Sequence, residues 1–309
     1  MSGAEIVCLG HAALDRIYRI EAFPPVPQKL AAAAMEEVGG GMAANAAVAA
    51  ARLGARVAFC GRVGDDMAGH AIRAGLEREG VDTAGLRAFP GAVSSTSAVI
   101  VEASGERLLV NHRGSGIPEG AAWLDLSAVR GARAVLVDVR WPAGARALLR
   151  AARAAGVPTV LDGDVGAGEA LPGLLAEADY VLFSAPGLSE FAPGAPVSAA
   201  LERAMGLGPR HAGVSCGSEG YVWRDEAGLQ ARAAFAIRAV DTSGAGDAFH
   251  GGFVWGLAAG YPVIACIDVG QATAALKCLQ PGNRAGLPGL AAVAALIAGD
   301  VPGEGADVA

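Results

Sequence analysis

Near the C-terminal end, Asp241-Thr242-Ser243-Gly244-Ala245-Gly246-Asp247 joins backbone with little side chain to a carboxylate. The stretch runs into an apolar, helix-competent segment, 248–257. A helix starting at Gly246 leaves its first N–H groups unpaired. Its dipole adds roughly half a positive charge at that end. Gly244, Ala245 and Gly246 then make a cradle for an anion such as a phosphate. Asp247 is the anomaly, because it is itself an anion. An acid at a helix start is also common in plain glycine turns, so the loop alone leaves both readings open.

Such a loop needs a rigid frame, and the chain supplies one. An apolar run at 5–10 reads as a buried strand. From 134 the pattern becomes regular: strands at 134–139, 158–162, 180–183 and 212–215 alternate with helices at 143–155, 171–176 and 199–205. That rhythm predicts a mostly parallel sheet covered on both faces. Gly39-Gly40-Gly41 opens an alanine-rich helix at 43–53, followed by a strand at 57–60 and a helix at 67–79. Segments 97–102 and 107–111 form a hairpin around Ser104-Gly105, and 221–224 with 229–232 form another. Extended arms at 17–20 and 31–38 flank Pro24-Pro25-Val26-Pro27. Three helices follow, from 246, near 263–279 and near 290–297, and the polar tail at 300–309 is expected to fray. Ligands bind such sheets at the carboxyl ends of the strands. The polar residues there are Asp15, Asp138 with Arg140, Asp162 with Asp164, Ser184, 215–220 and 241–247.

The 309 residues are 53% hydrophobic and 18% charged, which affords a large core. The net charge of −7 argues against generic nucleic-acid binding, which needs a basic face. Five scattered cysteines without a CxxC pair fit free thiols in a reducing cytoplasm. The N-terminus shows no basic region or long apolar core of a signal peptide. The uncharged stretch 251–267 is broken at Gly260-Tyr261-Pro262, so no membrane span is expected.

The segment DTSGAGDAFHGGF resembles the C-terminal signature of the ribokinase-like, pfkB-type carbohydrate kinases. VGGGMAANAAVAAARLGARVAFCGRVGDDMAG, 38–69, resembles their N-terminal signature. The resemblance covers essentially the whole chain. It implies one domain over 1–309, a three-layer α/β/α sandwich with a small β-sheet lid from about 12–38 and 92–113. It implies an ATP-dependent phosphotransferase acting on a sugar hydroxyl. Asp247 would be the base, and the backbone of Gly244, Ala245, Gly246 and Asp247 would stabilise the phosphoryl group. Ser215, Gly217 and Gly220 match the nucleotide loop, although on local sequence alone an ordinary turn into the hairpin at Tyr221 is the favoured reading. Ala275, Gly282 and Asn283 would flank the adenine. Asp241 and Thr242 match a monovalent-cation position, suiting K+. Mg2+ is expected with ATP, but the Asn-x-x-Glu motif of many relatives is replaced by Ser184-Ala185-Pro186-Gly187-Leu188-Ser189-Glu190. Metal placement then falls to water, Asp164 or a shifted Glu190. Dimers through the lid are also implied.

Asp15, Gly40, Gly41 and Asn45 match positions that grip sugar hydroxyls, as a carboxylate and an amide suit a polyol. Further stretches, including HAALDRIYRIEAFPPVPQKL and GERLLVNHRGSG, resemble the sulfofructose kinases within that family. This implies phosphorylation of 6-deoxy-6-sulfofructose at its 1-hydroxyl, with Lys29, Asn111 and Arg140 on the sulfonate. An arginine fork matches such an oxyanion. Fructose, fructose 6-phosphate and a catalytically silent sugar- or nucleotide-binding protein stand as alternatives, as do ordinary solvated roles for Lys29 and Arg140. His250, one turn after Asp247, reads as a core histidine.

Overall fold

The computed structural model describes residues 5–299, so the tail at 300–309 lies outside the described residues. In chain order the first elements are β1 (Ile6–Gly10), β2 (Ala13–Ile20), β3 (Ala34–Gly40), α1 (Met42–Arg52), β4 (Val57–Gly64), α2 (Met67–Arg78), β5 (Asp82–Phe89), β6 (Thr96–Glu102) and β7 (Arg107–His112). Next come β8 (Ala134–Asp138), α3 (Pro142–Ala154), β9 (Thr159–Gly163), α4 (Leu171–Leu175), β10 (Tyr180–Ser184), α5 (Ala185–Phe191), α6 (Val197–Met205) and β11 (His211–Ser215). The last are β12 (Tyr221–Asp225), β13 (Gly228–Arg232), α7 (Ala245–Ala259), α8 (Val263–Cys278) and α9 (Leu290–Ala298).

Nine strands form one sheet in the order β13-β12-β11-β10-β9-β8-β1-β4-β5. From β11 to β5 every pairing is parallel, and β12 and β13 add an antiparallel edge. Central strands are mostly apolar because helices cover both faces. Alternate residues still divide between two cores. Ile6, Cys8, Ala134 and Leu136 pack with α1, α2 and α7, while Val7, Leu9, Val135 and Val137 pack with α3 to α6. This is the three-layer sandwich.

The order of winding reverses between β1 and β8, which opens a crevice at their carboxyl ends. Buried Asp138 closes the floor of that crevice. Its Oδ2 accepts from the backbone N–H of His11 (2.6 Å) and Ala43 (3.1 Å), and its Oδ1 from that of Arg140 (2.9 Å). One carboxylate thus ties β1, the start of α1 and the end of β8 together. Burial pushes its pKa up to about 6 against these three N–H groups.

Helix α7 sits between α1 and α8 at backbone contact. A Cβ at Gly251 would lie 2.5 Å from Ala49 Cβ, and one at Gly252 would lie 2.9 Å from Gly270 Cα. A side chain at Gly251 would push α7 away from α1, and one at Gly252 would push it away from α8.

The second sheet has the order β3-β2-β6-β7. The proline-flanked arms pair as one antiparallel ribbon and 96–112 as another, and parallel pairing of β2 with β6 joins them. Met35, Leu108, Leu109 and Val110 on its outer strands are half or more exposed. Two elements were not foreseen from the sequence. β5 has a weak alternation and pairs with β4 through a register shift after Ala58. Residues 185–191 form helix α5 despite Pro186 and Gly187. Proline is accepted in a first turn, and the Ser184 side chain caps the helix by accepting from Gly187 N–H. Among the described residues no helix is long and apolar enough to cross a membrane.

Candidate active site

The base expected at the start of α7 lies beside the amide expected on α1. Asn45 Nδ2 donates to Asp247 Oδ2 over 2.7 Å. Gly244 takes the left-handed conformation (φ 71°) that ends the loop and starts the helix, and no side chain caps that start. The Ala245 N–H is bonded to Thr242 O, which removes one of the three small-residue donors expected from the sequence. The Gly246 and Asp247 N–H groups have no such backbone bond. Burial, then the charge of Asp162, pushes the Asp247 pKa up to about 7, against the Asn45 hydrogen bond and His250. His250 Nδ1 lies 3.2 Å from Asp162 Oδ2, both side chains being buried. The contact is close enough for attraction but misaligned for a hydrogen bond. Burial alone would lower the His250 pKa, and Asp162 outweighs it, so the ring is held above its ordinary value.

A cavity of about 670 Å³ opens in front of Asp247. Of the expected sugar contacts, Asp15, Gly41, Asn45, Asn111 and Arg140 line it. Gly40 stands directly behind Asp15, where a Cβ would come within 2.3 Å of the carboxylate. Burial raises the Asp15 pKa, opposed by a hydrogen bond from Ser97 and by Arg284. Lys29 is not brought to the cavity. It lies exposed in the irregular segment between β2 and β3.

Three lining residues were not singled out in the sequence. Arg62 sits 4.5 Å over the Trp141 ring and donates to Pro118 O. Arg113 and Arg140 both reach Gly166, where a Cβ would lie 3.7 Å from one guanidinium and 2.6 Å from the other. His11, with Nε2 3.3 Å from Ser95 Oγ, is pushed down to a pKa of about 4 by burial and then by Arg140, Arg113 and Arg62. The cavity therefore holds a neutral imidazole among three guanidinium groups. The arginines come from the ends of β4, β7 and β8, elements whose convergence no local pattern announces.

Behind the loop, Asp241 Oδ1 accepts from Ser243 N–H (2.8 Å) and Oδ2 from Gly282 N–H (2.9 Å), while Lys277 Nζ donates to Asp241 O (2.8 Å). Burial works to raise the Asp241 pKa, but these donors outweigh it and hold it below its ordinary value. Arg107, at the start of β7, donates to Ser243 Oγ, so the small sheet touches the loop. Asn283 packs against Gly244, where a Cβ would lie 1.9 Å from its Oδ1. Asp164 accepts from the Ser184 hydroxyl (2.6 Å) and lies 3.8 Å from Arg140 Nη2. Glu190 accepts from Gly166 N–H. No group of three or more His, Cys, Asp or Glu side chains gathers as a metal cage among the described residues.

The expected nucleotide residues are more scattered. Ser215 ends β11, and Gly217 (φ 58°) opens the turn beyond it, with nothing near a Cβ there. Gly220 has a structural reason of its own, since a Cβ would meet Arg232 O at 2.1 Å. Ala275 is buried on α8 against Leu53 and Val293.

Residues 4–289 match the pfkB family carbohydrate kinase family. The ATP-dependent ribose-1-phosphate kinase of Halopiger xanaduensis is 30% identical over 94% of this chain and 97% of its own length. The ribokinase of Bacillus subtilis is 26% identical over 92% and 96%. A solved structure from Agrobacterium tumefaciens superposes with a TM-score of 0.91 at 33% identity, covering 98% of this chain and all of the other. Arabidopsis thaliana ribokinase complexed with ribose and ATP gives 0.84 at 25% identity, over 96% and 99%. The chain belongs to the pfkB family of carbohydrate kinases. It is a phosphotransferase that moves a phosphoryl group from ATP to a hydroxyl of a sugar.

Proposed function

We propose that the acceptor is an anionic sugar, 6-deoxy-6-sulfofructose, phosphorylated at its 1-hydroxyl. The observation that carries this is the convergence of Arg62, Arg113 and Arg140 on the cavity that holds Asp247 and Asn45. A neutral ketose leaves these three charges with only Glu119, 3.4 Å from Arg62, and Asp164, 3.8 Å from Arg140, as ion-pair partners among the described residues. Asn111 supplies a neutral donor beside them, and Lys29 adds a mobile charge from the segment before β3. Asp15 and neutral His11 receive hydroxyls.

Asp247 is the base for the attacking hydroxyl. With Asn45 on one of its oxygens, the other is left for the sugar. The Gly246 and Asp247 N–H groups and the α7 dipole face the transferring phosphoryl, so positioning and charge stabilisation supply most of the catalysis. ATP lies along 215–220 and 275–283, with its phosphates toward Gly244. Mg2+ bound with ATP would neutralise phosphate charge. Asp164, already hydrogen-bonded to Ser184, is the residue that would hold it, by way of water. Asp241 and Thr242 would hold a K+ ion, which would supply positive charge beside the phosphoryl loop. The small sheet acts as the lid, and its exposed Met35, Leu108 and Val110 pair with a second copy of the chain, while Leu109 faces the cavity.

A sugar phosphate is the second reading. Three guanidiniums exceed what a monoanion requires, and one relative is a ribose-1-phosphate kinase. ATP turnover over sulfofructose, ribose 1-phosphate, fructose 6-phosphate, ribose and fructose separates these. The proposal expects sulfofructose to lead in kcat/KM. A neutral sugar in the lead overturns the anionic reading.

A further inference from the structure

Arg284, between α8 and α9, is only 7% exposed, and among the described residues it makes no ion pair. Its guanidinium lies against Gly39, where a Cβ would be 2.3 Å from Cζ. Its Nε donates to Asn45 Oδ1 over 2.8 Å and its Nη2 to Gly40 O over 3.3 Å. Burial lowers its pKa to about 10, opposed by Glu79, Asp15 and Asp247, so the group stays cationic near neutral pH. A buried cation held by neutral acceptors has a cost, and here its effect falls on a single amide.

A guanidinium has donors and no acceptor. Asn45 must therefore turn its oxygen to Arg284, which leaves its NH2 group facing Asp247. In the flipped orientation the amide oxygen would face the carboxylate and repel it. The neighbouring residues secure the same segment. Gly282 N–H holds Asp241, and Asn283 packs on Gly244. Three consecutive residues thus touch the phosphoryl loop at both ends and the partner of Asp247.

We propose that Arg284 is a positioning residue for phosphoryl transfer: it fixes the Asn45 amide so that one Asp247 oxygen is anchored and the other is free for the sugar hydroxyl. This rests on the reading of Asp247 as the base. Arg284 touches neither the sugar nor the phosphate and acts through Asn45.

The test uses the full chain with MgATP and either 6-deoxy-6-sulfofructose or ribose 1-phosphate as acceptor. Arg284→Met should lower kcat roughly 100-fold, the scale of a small misplacement of a reacting group, with the KM for ATP within about threefold. Arg284→Lys, which keeps the charge and one donor, should recover part of that loss. In an Asn45→Ala background, Arg284→Met should cost less than about threefold more, because the two act as one unit. A near-parental kcat for Arg284→Met, or losses that multiply in the double variant, overturns the proposal. If Arg284→Met does not fold, the same cycle is read with Arg284→Lys. Asp247→Asn is assayed in parallel. Turnover by that variant removes the base itself. An inactive Asp247→Asn beside a near-parental Arg284→Met removes only the positioning role.

Discussion

Asn45 and Asp247, 202 positions apart in the chain, meet through a 2.7 Å hydrogen bond. The bond joins the N-terminal ends of α1 and α7, which pack at backbone contact along Gly251. It leaves Asp247 with one anchored oxygen and one facing a cavity lined by Arg113 and Arg140. On the proposed reading, the base and its amide are held at two helix starts, while the arginines come from strand ends.

The elevated pKa of Asp247 has a sign that can be measured twice. A base works only when ionised, so kcat/KM should fall below pH about 7, roughly tenfold per unit. Stability runs the other way. The folded pKa, about 7, is above the ordinary value of 3.8. The contribution of this group is therefore complete below pH 4 and is lost as pH rises through 7. Thermal unfolding of the parent and of Asp247→Asn across pH 4–8 checks this. The parent should gain Tm relative to the variant as pH falls.

Arg140→Ala should lower kcat/KM for sulfofructose roughly 100-fold, the scale of losing one partner of a desolvated charge contact. Its effect on fructose should be within a few fold. Arg113→Ala should follow the same pattern. Lys29→Ala should cost less than either, because Lys29 stands exposed outside the cavity. Equal losses on sulfofructose and fructose would remove the anion clamp.

Arg107→Ala should slow turnover by about tenfold through Ser243, the scale of one lost hydrogen bond to a charged group. Its Tm should stay within about 2 °C of the parent, since Arg107 is half exposed and surface contacts of that kind add little stability. An unchanged kcat would show that the small sheet does not brace the loop.

Much of this site was legible because it depends on local backbone. A glycine loop before an apolar run fixes where α7 begins, and strand–helix alternation fixes which residues end strands. Asp15, Asn45, Asn111, Arg140 and Asp247 follow from those two patterns and the family resemblance. Arg62, Arg113 and Arg284 were not legible. An arginine looks the same in a solvated loop and in a buried slot, and only the convergence of β4, β7, β8 and the turn after α8 tells them apart. Gly220 also answers a close approach by Arg232 O, a packing reason that the sequence did not announce. Helix α5 hid behind Pro186, which breaks helix interiors and is accepted in first turns.

Turnover and sugar binding by Asp247→Asn, measured on the same preparation, test the account most directly. The substitution keeps shape and removes the charge that accepts the proton. The kcat should fall at least roughly 1,000-fold below the parent, with the Kd for the sugar little changed. A variant that turns over within about tenfold of the parent would contradict it.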